Sequence, residues 1–274
     1  MKHLYNYIGE NYPYLFPMDN LVKNASTVEY STTNSSDSQL RGFKEIGQIV
    51  ASLGSISLLT AMDISSKTFF LAEKIRIRKI NSTIVEDGLK YCAKPFSFSK
   101  RKGKVLVDVL NNQNQLFYTS ELEYVIFDEN AFNDVFSSFY TEKIPAESSP
   151  IKEGVLVNLI EPFYFKIQIP SFTIEQCKGH FDNYPIVPGV FIMDRLLEGI
   201  EKFFKLQGED VQSKKLVLDN LETFLNTATP VYSELSSLVH YRQVSKDSYL
   251  FVCTITDSNH KIEYGHFVIT VKLY

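Results

Sequence analysis

Apolar and polar residues recur at regular intervals over most of this chain, and the intervals divide it into two similar series of elements. In "FYFKIQIP" (163–170), Phe165, Ile167 and Ile169 alternate with Lys166 and Gln168, the period of two that predicts a half-buried strand. The preceding "VLVNLIEP" reads the same way. From about Val190 to Gln207 the spacing changes to three and four. Met193, Leu196, Leu197, Ile200, Phe203 and Phe204 then share one face, which predicts a helix stopped by Gly208. Strand character returns in "KKLVLDNL", "ELSSLVHYRQV", "SYLFVCTIT" and "YGHFVITVKL".

The first half follows a comparable plan. A helix is predicted from about Phe43 to Thr60, with Ile46, Ile49, Val50, Leu53 and Ile56 on one face. Strands follow in "TFFLAEKIRIRKI", "IVEDGLKYCAKPFSF", "KVLVDVL" and "QLFYTSELEYVIF". Between the halves, the polar, proline-containing "TEKIPAESSPIKEG" reads as a linker. The expected organisation is an N-terminal unit over 1–140, a linker over 141–154 and a C-terminal unit over 155–274. The fold class is α+β, with two antiparallel sheets each wrapped around a long central helix. Residue identity between the halves is too low to define a repeat by itself.

Composition narrows the function. A length of 274 residues with 44% hydrophobic and 22% charged residues allows a sizeable core. A net charge of −4 lacks the basic face that nucleic-acid binding requires. The N-terminus has no signal-peptide core, and no apolar run approaches the ~20 residues of a spanning helix, so no membrane insertion is expected. The three cysteines are far apart and form no CxxC, which argues against a disulfide framework and for a reducing cytoplasm. Metal-ligand spacings, a GxSxG elbow, a P-loop and a GxGxxG are all missing from the sequence, so neither a metal nor a redox cofactor is expected. His240, His260 and His266 sit at no ligand spacing.

One segment carries candidate chemistry, "GHFDNYPIVPGVFIMD" at 179–194. Histidine titrates near working pH, which suits it to general acid–base catalysis. The Pro188-Gly189 step opens a helix and leaves its first amides free at the positive end of the helix dipole, so Gly189 is a candidate oxyanion donor.

The stretch "GHFDNYPIVPGV" resembles the "GHFPGxPVMPGV" signature of 3-hydroxyacyl-acyl-carrier-protein dehydratases of the FabA/FabZ type, which have the hot-dog fold. Asp194 stands 14 residues after His180, where that family carries its acid. "NYPYLFPMDNLVKN" is similar, more weakly, to the "RYPFLLVDRV" segment that opens such domains. Asp182 and Asn183 replace the family's Pro-Gly, and both tolerate a left-handed turn. The resemblance implies a tandem hot-dog acting as an internal pseudo-dimer. The implied enzyme is a lyase that dehydrates a 3-hydroxyacyl thioester of acyl carrier protein or CoA in fatty-acid, polyketide or polyene synthesis. It implies His180 as base, with Gly189, Val190, Phe181 and Gln48 around the substrate.

In that family the histidine of one hot-dog meets the acid of its partner's helix, so the implied partner of His180 lies on the first-half helix. "GFKEIGQIVASLG" is similar to the family's "EAMAQAAG", and aligning Gln48 puts Lys44 at the acid position with Glu45 one residue away. Glu45 is therefore the expected acid, although it equally suits a first-turn glutamate that complements the helix dipole. Asp194 would mark a second, degenerate site, because the only histidine in the first half is His3. Two alternatives stay open: a hot-dog acyl thioesterase, in which a carboxylate activates water, and a non-catalytic acyl-binding partner subunit. Lys178, Arg195, Lys202 and Lys205 lie near the motif and would either steer an acidic carrier or form a solvated helix face. A homodimer of pseudo-dimers is also compatible with the sequence.

Overall fold

The computed structural model describes residues 6–15, 21–24, 26–32, 43–62, 64–81, 88–142, 154–209 and 214–274. His3 and nearly all of the expected linker lie outside the described residues. The elements run β1 (Val22–Asn24), β2 (Thr27–Ser31), α1 (Phe43–Ala61), β3 (Thr68–Lys79), β4 (Lys90–Phe98), β5 (Lys102–Leu110), β6 (Leu116–Asp128) and α2 (Glu129–Val135). They continue through a 3-10 turn (Ser137–Phe139), β7 (Leu156–Glu161), β8 (Tyr164–Ile169), α3 (Gly189–Leu206), β9 (Leu216–Leu225), β10 (Leu235–Ser245), β11 (Ser248–Asp257) and β12 (Glu263–Leu273).

All twelve strands form one sheet, in the order β1-β2-β4-β5-β6-β3-β9-β12-β11-β10-β8-β7, and every neighbouring pair is antiparallel. Read outward from the β3–β9 seam, the two halves have matching strand orders. The expectation of two separate sheets is thereby corrected to one continuous sheet. An unpaired β3 or β9 would expose a row of backbone donors and acceptors, and pairing them to each other removes both edges. The seam runs from Lys74 opposite Phe224 to Arg78 opposite Asn220. At its centre the Glu222 carboxylate accepts from Arg76 and takes Lys74 at 3.3 Å.

The two long helices solve different packing problems. In α1, 14 of 19 residues are buried, so it has almost no solvent face. Its small residues allow close approach: a Cβ on Gly54 would meet the Tyr124 hydroxyl at 2.2 Å, and one on Gly47 would meet Val190 and Met193 of α3. α3 is amphipathic, with the predicted apolar face buried and Phe203 stacked on Phe165 at 4.3 Å. Gly208, at φ +79°, ends it as expected. No described helix is long and apolar enough to cross a membrane.

Two features were not predicted from the sequence. The β1–β2 hairpin is too short to show a period. α2 is only seven residues long; Asp128 caps it by accepting from the Ala131 N–H, and its Phe132 stacks on Phe69 at 3.8 Å. Phe132 also packs against Phe181 and Tyr184, so α2 buttresses the turn that carries His180.

Beyond Lys74 and Phe224 the seam ends. β3 stays paired to β6 as far as Thr68, whereas the chain after β9 turns away toward residues 186–187. There the Val187 N–H donates to the Thr229 carbonyl at 2.8 Å, and Ile186 bridges Pro230. The gap between β3 and residues 225–229 opens into a cavity of about 390 Å³.

Candidate active site

The turn at 179–188 is built on a close approach of two backbones. Gly179 has φ +85°, and a Cβ there would lie 2.3 Å from the Asn11 carbonyl oxygen. The Asn11 N–H donates to the Gly179 carbonyl at 2.6 Å. Asp182 clamps both strands of this contact, accepting from the Gly179 N–H at 3.1 Å and from Asn11 Nδ2 at 2.8 Å. Asp182, where the dehydratase signature has proline, thus has a structural use. The left-handed residues of the turn are Gly179 and Phe181, not Asp182 or Asn183. On the other side, the Gly9 N–H donates to the Thr68 carbonyl at 2.8 Å and the Thr68 N–H donates back to Tyr7 at 2.8 Å. Residues 7–11 are therefore pinned between the start of β3 and the His180 turn.

That pinning delivers Glu10 into the cavity that His180 also lines. Glu10 is 4% exposed, and its Oε2 has no hydrogen-bond partner among the described residues. Burial pushes its carboxyl from the usual 4.5 up to about 8. His180 Nδ1 lies 3.0 Å from the Ile186 carbonyl, which can only accept, so Nδ1 carries the proton and Nε2 is left as an acceptor. Burial lowers its pKa from 6.5 to about 4, a shift the Ile186 hydrogen bond partly opposes, so the ring is neutral at pH 7. Tyr14 connects the two groups: its ring lies 4.6 Å from that of His180, and Glu10 adds to the upward shift that burial gives its hydroxyl.

The rest of the cavity is mainly apolar, as small-molecule sites generally are. Its buried part includes Ala51 and Ser55 of α1 and Tyr124 of β6, whose hydroxyl donates to the Ala51 carbonyl at 2.7 Å. Gly189 and Val190 line it at the start of α3, and Pro188 provides no side-chain cap for that helix. Glu73, Val135, Asn226 and Thr227 line it where the protein meets solvent.

The structure brings His180, Phe181, Gly189 and Val190 to this one cavity and leaves out the other residues singled out in the sequence. Glu45, the expected acid, is exposed on the first turn of α1. α1 meets the cavity through Ala51 and Ser55, well beyond its first turn, so Glu45 does not line it. Asp194 lies instead in a groove with Arg195 and Glu198 on α3, where burial raises its pKa against the opposing charges of Lys44 and Arg195. Gln48 does not line the cavity; its Nε2 donates to the Tyr14 carbonyl and so holds the segment that carries Tyr14. Sequence reasoning missed Glu10. It belongs to no period or motif, and the only signal near it was the similarity of the adjacent "NYPYLF" to a domain-opening segment.

No protein-family model and no curated protein sequence matches the chain. Solved structures do. A Lactobacillus plantarum protein, described provisionally as an oleoyl thioesterase, superposes with a TM-score of 0.62 at 9% identity, over 91% of this chain and 97% of that one. The 12:0-ACP thioesterase of Umbellularia californica gives 0.58 at 6% identity, over 92% and 100%. An acyl-ACP thioesterase of Bacteroides thetaiotaomicron gives 0.53 at 10% identity, over 90% and 98%. The expected dehydratase is corrected by these findings, because the similar structures are named as thioesterases, which are hydrolases and not lyases. The biosynthetic role that came with the dehydratase reading falls with it. At such low identity the likeness speaks for architecture alone, and on that ground the chain has the hot-dog fold.

Proposed function

We propose that the protein is an acyl thioesterase, hydrolysing a thioester whose acyl chain lies in the cavity between β3 and residues 225–229. The observation that carries this reading is the Glu10 carboxyl, buried with no partner at Oε2 among the described residues, in the cavity that His180 lines. Further support comes from the thioesterase names of the similar structures.

In this reading Glu10 is the general base. A carboxyl with a pKa near 8 is matched to neutral pH far better than an imidazole near 4. The carboxylate is the minor form at pH 7, and it is correspondingly basic. His180 Nε2 accepts a hydrogen bond from the attacking water and orients it. Glu10 takes the water's other proton as the new C–O bond forms, and the Gly189 amide donates to the oxyanion. When the C–S bond breaks, the Glu10 carboxylic acid returns that proton to the departing thiolate. The products are a free acid and a free thiol.

The test is direct. Incubation with an acyl-CoA thioester should release free acid by mass analysis and an equal amount of thiol by a thiol-trapping dye. An intact thioester after prolonged incubation with folded protein would end the proposal. His180→Ala should lower kcat/KM by on the order of 10²-fold, because water orientation is lost while the base remains. A His180→Ala variant with unchanged kcat/KM would remove His180 from the mechanism.

A further inference from the structure

The β4–β5 hairpin concentrates positive charge in a chain whose net charge is −4. Lys94, Lys100, Arg101, Lys102 and Lys104 fall within eleven residues, and all are exposed. Lys102 approaches Glu73 at 3.4 Å and Lys104 approaches Glu123 at 3.0 Å. Among the described residues, Lys94, Lys100 and Arg101 have no carboxylate partner. Between these cations stand two aromatic rings in solvent, Phe96 at 58% and Phe98 at 49% exposure.

The hairpin tip adjoins the cavity. Lys102 pairs with Val125, the Ile126 N–H donates to the Arg101 carbonyl at 2.8 Å, and both Val125 and Glu73 line the cavity. The tip is also held in place. The Ser99 N–H donates to the Lys102 carbonyl at 2.8 Å, and Gly103 packs so tightly on Leu58 of α1 that a Cβ would meet it at 2.6 Å.

We infer that this hairpin is the docking surface for an acidic carrier protein that presents the acyl thioester on a phosphopantetheine arm. The inference rests on the thioesterase reading and adds the substrate's carrier to it. The segment from Lys94 to Lys100, strand as far as Phe98, spans at most roughly 20 Å at ~3.3 Å per residue, wider than the clustered phosphates of a nucleotide thiol. Charge spread over that distance, interrupted by two exposed rings, complements an acidic protein face with an apolar patch. The cations draw the carrier in, and the adjoining cavity receives the arm.

The test uses the full chain and the double variant Lys100→Glu with Arg101→Glu, with one acyl group presented on acyl carrier protein, on CoA and on pantetheine. The double variant should lower kcat/KM on the acyl carrier protein by about tenfold at low salt and leave acyl-pantetheine turnover unchanged. Calorimetric binding of holo acyl carrier protein should weaken by a similar factor in the double variant and in Phe98→Ser. Because that binding needs no turnover, it tests the surface even if hydrolysis is never seen. Equal loss on acyl-pantetheine, unchanged carrier binding, or loss confined to CoA would overturn the inference. So would binding to phosphatidylglycerol vesicles that the double variant loses while carrier binding stays intact.

Discussion

Glu10→Gln should reduce thioester hydrolysis by on the order of 10³-fold while leaving the fold in place, because the amide fills the same space and cannot accept the water's proton. The wild-type rate should rise with pH and level off above about 8, following the carboxyl that burial has raised. The variant should show only a low, flat residue of that profile. Stability moves the other way. With its folded pKa above its unfolded value, Glu10 contributes stability that is fully present below about 4.5 and is lost as pH rises through about 8. At ~1.4 kcal/mol per pH unit the loss amounts to a few kcal/mol, so Glu10→Gln should outlast the wild type in denaturant above pH 8. His180 has the opposite sign: its folded pKa is lowered, so its contribution is present above about 6.5 and lost as pH falls through about 4. A Glu10→Gln protein with the wild-type rate and pH profile would exclude Glu10 as the base.

Gly179→Ala should cost about 2–4 kcal/mol of stability and most of the activity. Two effects add. An alanine at φ +85° bears the left-handed penalty of roughly 1–2 kcal/mol. Its Cβ would also fall 2.3 Å from a backbone oxygen that cannot retreat alone, since the same residue, Asn11, donates to the Gly179 carbonyl. Relief of that clash moves residues 9–11 and so displaces Glu10 from the cavity. Gly208→Ala is the control: its φ is +79°, but nothing lies within 4 Å of the added Cβ, so it should cost only the conformational part. Chemical denaturation of both variants, with turnover measured in parallel, separates the two effects. Equal destabilisation and full activity in both would show that the Asn11 contact does not position the site.

Much of the architecture was legible because it depends on local periodicity. The alternation through Phe165, Ile167 and Ile169 placed β8, and the three–four spacing from Met193 to Phe204 placed α3, with the face that is in fact buried. Helices and strands bury one side at a fixed angular period, so the period itself carries the information. The GHF segment was legible for a different reason: a left-handed glycine, two prolines and a helix-opening Pro-Gly step have few interchangeable substitutes. α2 was not legible, since seven residues complete only two turns and its stability comes from Phe69, Phe181 and Tyr184, all distant in sequence.

By itself the sequence determined the long helices and the longer strands, their order in two matching series, and the His180 turn that opens α3. Tertiary structure alone decided that β3 and β9 join the halves into one sheet, and that this seam parts after Lys74 to leave a cavity. It also decided which carboxyl shares a cavity with His180: Glu10, and not Glu45 or Asp194. The reason is that a side chain's burial and the neighbours that shift its pKa are set by residues far along the chain. Glu10 is held in the cavity by hydrogen bonds that its neighbours make to Thr68 and Gly179, and no local pattern in residues 7–11 encodes those contacts.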